Sequence, residues 1–236
     1  MALTKVIGTG VGNLDALGVG TASPSHPIHV VTSTDGTGVS GDDKFVAVFQ
    51  NAEATDGRSY GVKIMAGSTT DQALTITDHD GSNDLMAVDG YGHVTMPKQS
   101  AFLVNPSSNQ TNISVNATTT IAFGTERFDQ NADFSSNTFT APVTGRYQFN
   151  LFSFINDLNH GYSIFQVRLN TSNVTMTWII DPRFGDANPD YYPVHFSTLV
   201  DMDANDTAHV EMVIPNYGSA QVDFDASSYF SGYLVC

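Results

Sequence analysis

The stretch FTAPVTGRYQFNLFSFI, residues 139–155, places a proline, a turn and a glycine directly ahead of a run of aromatic and aliphatic residues. Pro142 lacks an amide proton and has a fixed φ, so it suits the margin of a strand and not the middle of a ladder. Thr144 and Gly145 then offer a turn. From Tyr147 the apolar residues recur at Phe149 and Leu151 with Gln148 and Asn150 between them, the period-two signature of a strand with one buried face. Past Leu151 the run FSFI is largely apolar on both faces. Such a strand must be covered on both sides, so the second face predicts contact with another copy of the chain.

The same texture extends outward. β-branched residues dominate the apolar runs, Gly, Ser, Thr, Asn and Asp dominate the connections, and no long window carries the i, i+3, i+4 pattern of an amphipathic helix. The chain reads as all-β. With 236 residues, 41% of them hydrophobic, it can bury a core of ordinary size in one domain or two modest ones. A formal charge of -15 repels phosphate backbones and anionic bilayers, which argues against nucleic-acid binding and membrane-surface binding. The one cysteine, Cys236, is the final residue, so no intrachain disulfide can form. The start MALTKVIGTGVGNLDALGVG has glycines where a signal peptide needs an unbroken apolar core, and no stretch approaches the length of a membrane span. The expectation is a protein made in a cytoplasm, without membrane insertion and without a cofactor.

Two regions differ in texture. Residues 1–97 carry short apolar runs, PIHVV, KFVAVF, YGVKIMA, ALTIT, LMAV and HVTM, separated by turn-rich stretches, with DGYG supplying a hairpin turn. Runs this thin bury little alone, and three copies around one axis would join their stripes, so this region is expected to be a trimeric β-rich stalk that also attaches to other proteins. Residues 98–236 hold longer strands and most aromatic residues. AFLV, TTIAF, FTAPV, RYQFNLFSFI, YSIFQVRL, VTMTWII, VHFSTLV, AHVEMVI and YFSGYLV read as successive strands of a sandwich or jelly roll.

In this second region TTIAFGTERFDQNADFSSNTFTAPVTGRYQFN, residues 119–150, resembles the opening of the complement C1q-like globular head, with its F-T-A-P-x-x-G-x-Y-x-F run. YFSGYLV at 229–235 resembles that family's closing F-S-G-hydrophobic strand, and DANDTAHVEM is similar to its turn-plus-strand pattern, with Asn205 where glycine is commoner. The resemblance implies a ten-stranded jelly roll of the tumour necrosis factor type that assembles as a homotrimer. In the first region GVGTASPSHPIHV, residues 18–30, resembles a segment common in bacteriophage tail-fibre proteins, with His26 and Ile28 in place of the usual lysine and leucine. No Gly-X-Y collagen repeat precedes the head. Together these resemblances imply a virion tail fibre that binds a host-surface receptor, a glycan or a protein, and docks on other tail or head proteins. The rivals are a structural head or collar fibre without a receptor, a cellular adhesion protein with the same head, and a glycan depolymerase spike.

In an antiparallel sandwich alternate connections fall at one end. Counting from the strand that ends at Ile155, the long segments 156–161, 181–193 and 215–228 share one end, while the tight turns 170–173 and 201–206 share the other with Cys236. Long loops on a rigid scaffold carry recognition. Asn156, His160, Arg183, Phe184, Tyr191, Tyr192 and Tyr217 mix flat apolar faces with hydrogen-bonding groups, a mixture suited to sugars. The opposing reading is that these aromatics seal the end of the sandwich. Tyr147, Phe149, Phe152, Phe154, Phe230 and Tyr233 are expected in the core or the trimer contact, and Trp178 in the core.

Three acidic clusters are set aside. Asp78, Asp80 and Asp84 lack the distal glutamate of a calcium loop, and Asp201, Asp203 and Asp206 read as another solvated turn. Asp181, Asp186 and Asp190 could supply a pair of catalytic carboxylates, but nothing raises them above surface aspartates. His26 and His29 lack companions for a zinc site. The expectation is a protein that is not an enzyme and holds no metal.

Overall fold

A tyrosine hydroxyl explains the bend that opens the 139–155 stretch. In the computed structural model, which describes residues 17–19, 23, 25–30, 62–114, 116–215 and 221–236, Tyr147 Oη donates to the carbonyl of Val143 at 2.7 Å and accepts the Val143 amide at 3.4 Å. The Pro142 bend is thereby tied to the strand it precedes, and burial, aided by the Asp133 charge and opposed by the Val143 bond, leaves the Tyr147 hydroxyl harder to ionise than usual. The strand before the bend ends at Thr140, short of the Pro142 and Val143 that the sequence placed in it.

The chain divides into two compact units, residues 1–65 and 66–236. Within the first, β1 (Leu17–Val19) pairs in parallel with β2 (Ile28–Val30). The KFVAVF run lies outside the described residues. The second unit opens with an antiparallel meander of β3 (Gln72–Thr77), β4 (Asp84–Asp89) and β5 (Val94–Thr95). Aspartates close both of its turns: Asp78 accepts from the Asn83 side chain at 2.5 Å, and Asp89 Oδ1 accepts the amides of Tyr91 and His93, each at 2.9 Å. DGYG is therefore the expected hairpin turn, with Gly92 at φ +86°. Residues 62–66 form no regular strand, contrary to the strand reading of YGVKIMA.

Thirteen strands follow among the described residues: β6 (Ala101–Asn105), β7 (Gln110–Ser114), β8 (Thr118–Thr120), β9 (Thr125–Asp129), β10 (Phe134–Ser135), β11 (Thr138–Thr140), β12 (Gly145–Asn156), β13 (Phe165–Thr171), β14 (Thr175–Ile180), β15 (Tyr192–Met202), β16 (Thr207–Val213), β17 (Gln221–Phe224) and β18 (Tyr229–Leu234). They form two antiparallel sheets of a jelly-roll sandwich. In the larger, β12 pairs with β15 along one edge and with β18 and then β17 along the other; β18 continues to β6 and β9, and β17 to β7. In the smaller, β16 is flanked by β13, which carries β14, and on its other side by β11 and β8. β7, β9, β10 and β17 are additional to the sequence reading. TERFD and QTNIS lack the apolar alternation that signals a strand, and QVDF lies within the turn-rich segment 215–228.

The core lies between the sheets. Phe102, Phe134, Phe139, Phe149 and Phe230 are all nearly inaccessible, with ring centroids 5.0 to 6.4 Å apart in stacked, tilted and edge-on pairs. Trp178 is half-buried, and its ring stacks on that of Phe196 at 3.8 Å and 11°. The chain enters and leaves the sandwich at one end: Leu234 N donates to Ser100 O at 3.0 Å, and Arg146 N to Cys236 O at 2.8 Å. The turns at 172–173 and 203–206 lie at the same end, where Asn173 Nδ2 donates to Asp206 Oδ2 at 2.6 Å. The parity count from the sequence therefore holds, except that the segment 215–228 contains β17.

Candidate functional site

The loops at the far end border an open cavity. β12 delivers Asn156, the following loop delivers Asp157, Asn159 and Tyr162, the 181–191 loop delivers Asn188, Pro189, Asp190 and Tyr191, and β17 delivers Gln221 and Asp223, around a volume of about 760 Å³. That size is typical of small-ligand pockets. The two loops are fastened by His160, whose amide and ring Nδ1 both contact Asn188 Oδ1, at 3.0 and 2.6 Å. Asn156 Nδ2 donates to Asp225 Oδ2 at 3.1 Å, and Asp223 Oδ1 accepts the Asn112 amide at 2.7 Å. The wall is thus built from two loops and from the strand ends that carry Asn156, Gln221 and Asp223.

The expected recognition residues divide into two groups. Asn156 and Tyr191 line the cavity and His160 braces it. Arg183, Phe184 and Tyr192 form a second cluster: Phe184 is 76% exposed and meets Tyr192 edge-on at 6.1 Å, and Arg183 makes a two-pronged ion pair with Asp181 at 2.8 and 2.6 Å. The Arg183 side chain, with its amide, holds the Asp181 carboxyl down to about 2. A catalytic acid needs the opposite shift. Tyr192 is half-buried, and burial raises its hydroxyl above the ordinary tyrosine value. Tyr217 lies outside the described residues. The carboxamides Asn159, Asn188 and Gln221 and the carboxylates Asp157, Asp190 and Asp223 went unread in the sequence as cavity residues, because chain reversal and not local pattern brings them together.

A second feature is the outer face of the larger sheet. The six residues expected in the core or trimer contact sort by strand parity: Tyr147, Phe149 and Phe230 point into the core, whereas Phe152, Phe154 and Tyr233 point away from it. Register places Phe152 between His195 of β15 and Tyr229 of β18, and Gln148 between Leu199 and Tyr233. The rings of Phe152 and Tyr229 stack at 5.6 Å, and Phe154 meets Phe152 edge-on at 4.9 Å and Tyr191 at 6.2 Å. Phe128 and Leu199, about half exposed, extend the apolar area to either side. Leu103, Asn105, Arg127 and Tyr229 line a hollow of about 630 Å³ in this face. From Gln148 to Phe154 the outward residues of β12 and their partners on β15 and β18 (Leu199, Ser197, His195 and Pro193; Tyr233, Ser231 and Tyr229) include no carboxylate, although the chain carries a formal charge of -15.

The acidic clusters serve turns. Asp206 Oδ2 accepts the Asp203 amide at 2.8 Å, and Asp80 Oδ1 accepts the Ser82 amide at 2.9 Å. Among the described residues no group of three His, Cys, Asp or Glu is placed to hold a metal ion.

Residues 101–235 match the family model for the C1q domain. Solved structures with a similar fold include the globular domain of zebrafish complement 1qA, 17% identical, covering 59% of this chain and 98% of that one, with a TM-score of 0.45. Murine APRIL at pH 8.0 is 10% identical, covering 58% of this chain and 100% of its own, with a TM-score of 0.43. No curated protein matches the chain.

Proposed function

We propose that this chain, which belongs to the C1q-domain family through residues 101–235, is the receptor-binding protein of a bacteriophage fibre, with residues 98–236 as a homotrimeric head and 1–97 as a β-rich stalk and virion-attachment region. Domains of this family typically form homotrimers, bind receptors and act without catalysis. The head engages a host-surface glycan through the far-end loops, and the virion is its location. The observation that carries the receptor reading is the placement of the chain ends: both leave the sandwich opposite the 760 Å³ cavity, so a tethered head keeps that cavity free. The trimer reading is supported by the aromatic centre of the outer face, which lacks carboxylates, since three acidic copies can meet closely only where like charges are absent. Three modest sites on one rigid head gain avidity while each stays individually reversible. The fibre reading rests on the likeness of GVGTASPSHPIHV to tail-fibre segments.

The experiment is binding of labelled full-length protein to intact host bacteria, with immunolabelling of virions beside it. The proposal expects saturable binding, its loss in a Tyr191→Ala, Tyr192→Ala double variant that keeps the native circular dichroism spectrum, and label on the fibres. Label on virions without any cell binding would instead mark a structural fibre, and release of reducing sugar from the cell envelope would mark a depolymerase.

A further inference from the structure

The chemistry of the cavity wall restricts what can occupy it. Its polar side chains are carboxylates and carboxamides with two tyrosines, and no lysine, arginine or histidine is among the described lining residues. The basic groups of these loops are engaged elsewhere: Arg183 by Asp181, and the His160 ring by Asn188. Asp157, Asp190 and Asp223 add carboxylates to the wall. An occupant with a negative charge would meet these groups without a compensating cation, in a chain that already carries -15. An occupant rich in donors would satisfy them. The Tyr191 ring, 64% exposed and braced edge-on by Phe154 at 6.2 Å, provides an apolar platform for the C–H face of a pyranose.

We infer that the cavity takes a donor-rich saccharide without negative charge, a neutral or amine-bearing glycan and not an acidic one. The inference rests on the proposed reading of this end as the glycan-binding end, and deepens it by naming the class.

The test uses the full chain and three oligosaccharides of equal length: chitosan, its N-acetylated counterpart and polygalacturonate. Binding is followed by isothermal titration calorimetry at mildly acidic pH, where the amines are protonated and the uronates are ionised, at low and at high salt. The expected order is chitosan at least as tight as the acetylated oligomer, with polygalacturonate weakest. Asp157→Asn and Asp190→Asn should each narrow the spread between basic and acidic oligomers by roughly two- to fivefold, the size of one exposed charge contact, and high salt should narrow it further. Polygalacturonate binding as tightly as the acetylated oligomer would overturn the class while leaving a glycan site at this end. Absence of binding by all three, or binding that survives Tyr191→Ala undiminished, would remove the glycan-binding end itself.

Discussion

Gly232 of β18 lies directly opposite Phe149 of β12, and a Cβ on that glycine would fall 2.8 Å from Phe149 Cδ1 and 2.7 Å from Phe102 Cε1. The requirement is one of space, since two core rings pack against the bare backbone. Gly232→Ala is expected to destabilise the domain by roughly 1–3 kcal/mol through overpacking. Urea denaturation followed by circular dichroism measures it. An unchanged midpoint would mean that the rings move aside at no cost.

Trp178 and Phe196 close the sandwich where β14 and β15 pass each other, with rings 3.8 Å apart and nearly parallel. Trp178 is half-buried, so Trp178→Ala should cost somewhat less than a fully buried ring, roughly 2–3 kcal/mol. The same denaturation series checks it. Trp178 is the one tryptophan of the chain, so its fluorescence in the unaltered protein should follow the backbone signal through the transition. A fluorescence change well before loss of β-structure would show that the stack lies outside the cooperative core.

How far the fold could be read from the sequence depended on how local each signal was. The alternation in β12, the DGYG turn and the end assignment by parity need only neighbouring residues or a count of reversals, and all three are present in the structure. β9 and β17 were missed because TERFD and QVDF gain their pairing from strands far away in sequence, β6 and β12. The two faces of FSFI were legible as apolar, and register then assigns Phe152 and Phe154 outward and Ile155 inward. The cavity was half legible. Asn156 and Tyr191 stand out by residue type, whereas the His160–Asn188 brace spans two loops and leaves no mark in either alone.

Asp225 gives a pH dependence with a definite sign. Its carboxylate accepts the Ser227 amide at 2.8 Å and Asn156 Nδ2 at 3.1 Å, and the backbone bond from Ser227, ahead of the side-chain bonds, lowers its pKa below the ordinary 3.8 against the opposing effect of burial. A carboxyl with a depressed folded-state value stabilises the fold above its unfolded value and loses that contribution as pH falls toward the folded one. Asp225→Ala should therefore cost roughly 1 kcal/mol at neutral pH, and the gap from the unaltered protein should close as the pH drops below 3.8. A gap that stays constant through that range would assign the loss to packing instead of charge.

Phe152 sits at the carboxylate-free centre of the outer face, stacked on Tyr229 and opposite His195. Phe152→Asp places a carboxylate there, and three copies brought together would bury it unpaired. The expected result is a folded monomer by light scattering with an unchanged circular dichroism spectrum. Phe149→Asp should unfold the domain, because that side chain faces the core. If the Phe152 variant keeps the mass of the unaltered protein, the face is not the contact.

Sedimentation equilibrium of the full chain at micromolar concentration tests the central claim most directly, which is that copies of this acidic protein join through the aromatic outer face of the larger sheet. The account predicts a species of three times 25.3 kDa. A folded species of 25.3 kDa at that concentration would contradict it.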